Sequence, residues 1–185
     1  MSRDRAEWHE VQALVARAAQ VRIDCALRDL PRIAPLLTRD DGSATAAFRF
    51  YRLSASADAP EGTISACDAA ECSVSAVLPM TCQRCLGEVQ IQAHGSAHLA
   101  FIDDEAAVGT VPESHDPVIM SAGRVSLAEL VEEELLLAMP IVPVHAEVAQ
   151  CQPRPGETVE ENPADAAASA PKQTPFAGLR ELMKK

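Results

Sequence analysis

The chain has 185 residues, a net charge of -11 at neutral pH, 48% hydrophobic residues and 3% aromatic ones. That length and apolar content suffice for one packed domain plus a tail, with a core of Val, Leu, Ile and Ala. So few aromatics argue against a stacking platform for bare bases, and the negative charge disfavours binding phosphate backbone across the whole surface.

Trp8, Val11, Val15, Ala18 and Ala19 recur at near-helical spacing and predict an amphipathic helix within Glu7 to Gln20. The same segment alternates charge with short apolar stretches and lacks the apolar run and cleavage site of a secretory leader. No long uncharged apolar segment occurs anywhere, so the expected location is the cytoplasm and no membrane partner is expected. In that reducing compartment Cys25, Cys67, Cys72, Cys82, Cys85 and Cys151 are buried apolar groups or metal and redox thiols rather than lasting disulfides.

Val21 to Leu27 tightens to a period of two and predicts a strand, followed by the proline-broken stretch Pro31 to Leu37 and a turn at Asp41-Gly42. Thr45 to Leu53, Gly62 to Cys67, Glu71 to Met80 and Glu88 to Ile102 read as further strands, divided by Gly and Asp-Ala steps. A meandering antiparallel sheet is the simplest assembly of these segments. The fold class predicted is α+β: an antiparallel β-rich core, a few packed helices and a flexible C-terminal tail. The domain is expected over 1–151, a linker over 152–173 and a docking motif over 174–185.

Ser126-Leu127-Ala128-Glu129 has capping-box spacing and starts a helix whose apolar face is Leu127, Leu130, Val131, Leu135 and Ala138. Glu132 and Glu133 fall largely opposite that face, and Pro140 forbids continuation. Phe101 to Gln150 carries ten acids against Arg124 alone, a net of -9. Glu129, Glu132 and Glu133 are therefore expected to meet a basic protein. Pro140 to Val144 must run extended and leads directly to His145. Beyond Cys151 the chain turns to Pro, Glu, Ala and Gln, the composition of a disordered linker. Its end changes again: Thr174 can cap, Pro175 suits a first turn, and Phe176, Leu179 and Leu182 form a stripe suited to docking on a partner.

Cys82-Gln83-Arg84-Cys85 is the only tight cysteine pair, and two thiolates three apart on a turn can grip one tetrahedral zinc ion. His145 and Cys151 can supply the other half of a Cys3His site holding one structural zinc, if the chain folds back. In the competing readings Cys82 and Cys85 are buried thiols at a strand end, or a redox pair activated by Arg84. Cys25, Cys67 and Cys72 are read as core. His145-Ala146-Glu147 matches the His-x-Glu of zinc deaminases, but in those enzymes the cysteine pair follows the histidine, whereas here it precedes it. No phosphate loop, nucleophile elbow or metalloprotease helix occurs. His9, His94, His98 and His115 have no ligand partners at telling spacing.

Taken in order, Met80-Thr81-Cys82-Gln83-Arg84-Cys85, then Leu130 to His145 with its Glu132-Glu133-Glu134 and Pro140-Ile141-Val142-Pro143 runs, then Pro175-Phe176-Ala177-Gly178-Leu179, resemble the YceD family. The resemblance covers roughly Ser43 to Lys185. It implies a cytoplasmic protein needed for the accumulation or processing of 23S rRNA, often encoded beside a large-subunit ribosomal protein and with no established catalytic activity. Cys82, Cys85 and His145 carry over onto the motif positions; Cys151 lies where the spacing after the histidine varies.

The expected function is thus that of a ribosome biogenesis factor, not an enzyme, acting by binding precursor large-subunit components, either 23S rRNA or a basic ribosomal protein, and not DNA. A zinc- or thiol-dependent enzyme acting on RNA or a nucleobase is the first alternative, and a protein-interaction adaptor unrelated to RNA is the second.

Overall fold

The structure, a computed structural model, describes residues 7–54, 62–64 and 66–151. In chain order its regular elements are β1 (Trp8–Glu10), α1 (Val11–Ala16), β2 (Gln20–Ala26), β3 (Ser43–Ser54), β4 (Ala66–Thr81), β5 (Glu88–Ile102), β6 (Asp116–Ile119), β7 (Arg124–Ser126) and α2 (Leu127–Ala138). The linker and docking motif predicted over 152–173 and 174–185, with Phe176, Leu179 and Leu182, lie outside the described residues. Among the described residues no helix is long and apolar enough to cross a membrane.

The hairpin of β4 and β5 is the spine. Along β5, Val89, Ala93 and Leu99 are buried while Glu88, Gln90, Gln92 and His94 are exposed, the period-two pattern of a strand with one covered face. Strands β2, β3, β4 and β5 are antiparallel neighbours in that order, as the sequence predicts. On the inner face Phe48, Phe50 and Phe101 stack with ring centroids 6.2 and 6.0 Å apart. The apolar side of α2 closes over this face with Leu127, Val131 and Leu135, and Val11 and Leu14 of α1 join the same core.

The structure departs from the predicted elements in four places. The N-terminal helix covers only Val11–Ala16, because Trp8–Glu10 pairs with β7 and Ala18 turns the chain with a φ of 46°. The strand expected over Gly62 to Cys67 is not formed at residues 62–64, and β4 instead starts at Ala66 and runs unbroken through Asp68-Ala69-Ala70, where a division was expected. Asp68 is paired with Arg52 at 2.5 Å, and Ala69 and Ala70 are fully covered. Strand β6 lies parallel to β5 rather than extending the meander. It is reached through a 3-10 turn at Glu105–Thr110, capped by Asp104, whose carboxylate accepts from the Ala106 amide at 2.9 Å.

The fourth departure concerns the acidic helix face. Glu132, expected outside with Glu129 and Glu133, has only 3% of its surface exposed. Its carboxylate accepts from the backbone N–H of Arg32 at 2.6 Å, from that of Ile33 at 3.3 Å and from Arg32 Nε at 3.1 Å. It thereby latches the irregular connection after β2 onto α2, satisfying amides that no strand or helix serves. Glu129 and Glu133 are exposed as predicted.

Helix α2 sits unusually close to the sheet at Gly95. A Cβ there would stand 3.1 Å from the Glu134 carbonyl oxygen and 3.1 Å from Val74 Cγ2, so the helix backbone occupies the room a side chain would take. The approach also buries Glu134, whose carboxyl pKa is raised, first by burial and then by the charges of Asp116 and Glu133. The folded state therefore holds this proton more tightly than the unfolded chain. The charged form costs stability above the folded pKa, and the cost fades as pH falls through it. Glu134→Gln is expected to be more stable than the parent at pH 7, with the difference closing towards about pH 4. Urea titrations at the two pH values check this, and a constant offset at both would contradict it.

Candidate metal centre

The turn of the long hairpin is the hexapeptide Cys82 to Gly87. After the last β4–β5 pair, Thr81 with Glu88, the Cys82 amide donates to the Gly87 carbonyl at 2.8 Å and the Leu86 amide to the Cys82 carbonyl at 2.9 Å. Leu86 takes a φ of 64°, the left-handed bend that lets a short knuckle close. The knuckle lies far from the packed end of α2: Glu88 to Gly95 spans about 23 Å of strand. The seven residues that follow Ala138, ending at His145, would cover only about 10 Å as helix but about 23 Å extended, and Pro140 and Pro143 enforce the extended form. The Gln83 amide donates to the Pro143 carbonyl at 2.8 Å, docking this return segment onto the knuckle just before His145. A further 3-10 turn at Val148–Gln150, with the Cys151 amide donating to the Val148 carbonyl at 2.9 Å, curls Cys151 back to the same point.

All four residues singled out for metal in the sequence are thereby brought together. The ligand atoms of Cys82, Cys85, His145 and Cys151 lie within 4.8 Å of one another, an arrangement that can hold a metal ion. The thiols of Cys85 and Cys151 stand 3.7 and 3.6 Å from His145 Nδ1. A tetrahedral zinc with sulfur at about 2.3 Å and nitrogen at about 2.0 Å has sulfur–nitrogen edges of about 3.5 Å, so the donor set fits the ion closely. The assembled donors number three sulfurs and one nitrogen, the complement of a closed structural site.

The electrostatics match this use. Burial pushes the Cys82 thiol up, but hydrogen bonds from the backbone at Cys85, Arg84 and His145 and from the His145 side chain outweigh it and bring it down to about 5. The shift favours the Cys82 thiolate, the form that binds metal. Cys151 is pushed up, first by burial and then by its contacts with Cys85 and Cys82, as expected where several thiols share one small volume. Arg84 Nη1 approaches Cys151 Sγ at 3.7 Å. With a divalent ion bound, three thiolates and a neutral imidazole would carry one excess negative charge, which this guanidinium would offset.

The other cysteines are of a different kind. Cys67 and Cys72 are buried and Cys25 half-buried. Burial, and next the Glu134 charge, pushes the Cys72 thiol up to about 12, the state of an inert core residue.

A second polar cluster was not visible in the sequence. Tyr51 lies in register with Ala69 and Ala100 on the outer face of the sheet, and its hydroxyl meets His115 Nε2 at 2.7 Å. Ser114 Oγ lies 2.9 Å from His115 Nδ1, and the His98 and His115 rings are 5.5 Å apart. The His115 pKa is lowered, first by burial and then by His98, which favours the neutral ring. The cluster pins the connection before β6 to the sheet. Period-two alternation places Tyr51 and His98 outward, but nothing in the sequence places the loop residue His115 beside them.

No solved structure matches the chain. A family model described as the large ribosomal RNA subunit accumulation protein YceD matches residues 70–183, a span that begins inside β4 and contains all four clustered ligands. The chain therefore belongs to the YceD family, which is named for the accumulation of large-subunit ribosomal RNA.

Proposed function

We propose that this chain is a cytoplasmic ribosome biogenesis factor that supports synthesis, processing or accumulation of 23S rRNA by binding precursor large-subunit components, and that it catalyses no reaction. One zinc ion held by Cys82, Cys85, His145 and Cys151 staples the hairpin tip to the segment after α2. The observation that carries this reading is the donor set: three thiols and an imidazole fill a tetrahedral zinc, whereas hydrolytic zinc keeps a position open for water. Family membership supplies the process. The partner is 23S rRNA or a basic ribosomal protein, and neither DNA nor a membrane. On the protein side Glu129 and Glu133 offer the exposed acids, and Phe176, Leu179 and Leu182 of the tail offer the apolar stripe.

The purified full chain, added to a cell extract and run on a sucrose gradient, is expected to travel with precursor large-subunit particles. Recovery wholly at the top of the gradient, or metal-dependent turnover of an RNA or nucleobase substrate, would contradict the proposal.

A further inference from the structure

The exposed ridge of α2 continues past its end into an apolar platform. Glu129, Glu133 and Leu137 follow one another at intervals of four on the solvent side of the helix, all exposed. Leu137 is 78% exposed, Ile141 100% and Val142 57%. A surface Leu alone is ordinary, but three large aliphatic side chains exposed within six residues, two of them nearly or wholly bare, concentrate apolar area in water in a way that favours covering by a partner. Their backbone is also stiff. Pro140 precedes Ile141 and Pro143 follows Val142, and Pro143 is buried and hydrogen-bonded to the knuckle. Such a segment loses little conformational freedom when a partner covers it.

We propose that Glu129, Glu133, Leu137, Ile141 and Val142 form one docking surface for a basic polypeptide segment that also carries apolar side chains. This rests on the reading of the chain as a large-subunit biogenesis factor and deepens it by choosing protein over RNA as the occupant of this surface. The choice follows from charge and chemistry. Two exposed carboxylates in line repel phosphodiesters, and aliphatic side chains without an aromatic among them give bases nothing to stack on. A second copy of the chain would bring carboxylates rather than cations to the same ridge. Along the helix Glu129 and Leu137 are about 12 Å apart, so the partner must present its basic and apolar groups at that spacing, as a short amphipathic helix or an extended strand does.

The test uses the full chain and individually purified, RNA-free large-subunit ribosomal proteins, fluorescently labelled, with naked 23S rRNA as a separate arm. At least one basic protein is expected to bind saturably. Leu137→Ser with Ile141→Ser is expected to weaken that binding tenfold or more, with the thermal midpoint and metal content unchanged because both side chains are already exposed. Glu129→Lys with Glu133→Lys is expected to weaken it and flatten its salt dependence. The surface assignment is overturned if the serine pair binds as the parent does, if only rRNA binds, or if the same residues mediate self-association in sedimentation. Gradient runs separate the two levels of the claim. Parent and serine-pair chains both travelling with precursor particles overturn this surface alone, whereas a parent chain that does not travel with them overturns the biogenesis reading and the surface with it.

Discussion

Replacing Cys82 by Ser is expected to abolish stoichiometric zinc binding and to lower the thermal midpoint by about 10 °C or more. Cys82 is completely buried at the tip of the hairpin, and its sulfur receives hydrogen bonds from the knuckle backbone and from His145. A serine oxygen is a poorer ligand for zinc and cannot reproduce the longer bond to sulfur. Zinc binding can be worth about 10–16 kcal/mol in peptides that have no fold without the metal. Here the sheet and α2 have their own core, so the loss is limited to the knuckle and the return segment, on the order of 3–5 kcal/mol. Cys85→Ser is expected to behave in the same way, whereas Cys25→Ser, at a half-buried position away from the cluster, is expected to keep the metal. Native mass spectrometry and calorimetry of the three variants check this. A parent chain without metal, or a Cys82 variant that melts with the parent, would remove the staple.

The second large effect is expected at Glu132. Removing its carboxylate by Glu132→Ala leaves the Arg32 amide without an acceptor, leaves the Ile33 amide only its 3.2 Å bond to the Leu30 carbonyl, and detaches the connection after β2 from α2. Hydrogen bonds to a charged acceptor contribute about 1.5–3 kcal/mol each, and the stranded Arg32 amide adds a cost of its own, so a loss of about 2–4 kcal/mol is expected. The Arg32 guanidinium contributes little to this, because its side chain is 49% exposed and the ion pair is screened. Glu132→Gln keeps an acceptor oxygen and is expected to recover about half of the loss. Urea midpoints distinguish the three chains. An alanine variant within about 0.5 kcal/mol of the parent would mean that the latch contributes nothing, the usual outcome for a surface substitution.

Glu132 also shows where the sequence stops being legible. Helical periodicity puts it beside Glu133 on the polar side of α2, and a carboxylate among carboxylates reads as solvated. Its burial depends on two amides in a proline-broken connection a hundred residues earlier, which no local pattern announces. The same reason hid the pairing of Trp8–Glu10 with β7 and the parallel placement of β6, since both depend on distant partners. Strand β4 was divided for a different reason. Asp68-Ala69-Ala70 looks like a turn until Arg52 pairs with the aspartate across the sheet. Pro79 is tolerated within the strand expected over Glu71 to Met80 because β3 pairs with β4 only as far as Ala76, so at Pro79 that side of β4 has no strand to serve.

What was legible was local. The alternation of Glu88 to Ile102 matches β5 end to end, and Ser126 caps α2, accepting from the Glu129 amide at 3.3 Å. The metal cluster was legible because each half is a local feature: a tight cysteine pair on a turn, and a proline-stiffened segment ending in His145. Their meeting, sixty residues apart in sequence, required the sheet and α2 to set the distance between them.

The most direct measurement is X-ray absorption at the zinc edge on the purified full chain. Three sulfurs at about 2.3 Å and one nitrogen at about 2.0 Å, with no oxygen in the shell, is the result predicted for a closed centre that holds a binding surface in shape. A shell containing a water oxygen, or no bound metal at all, would contradict it.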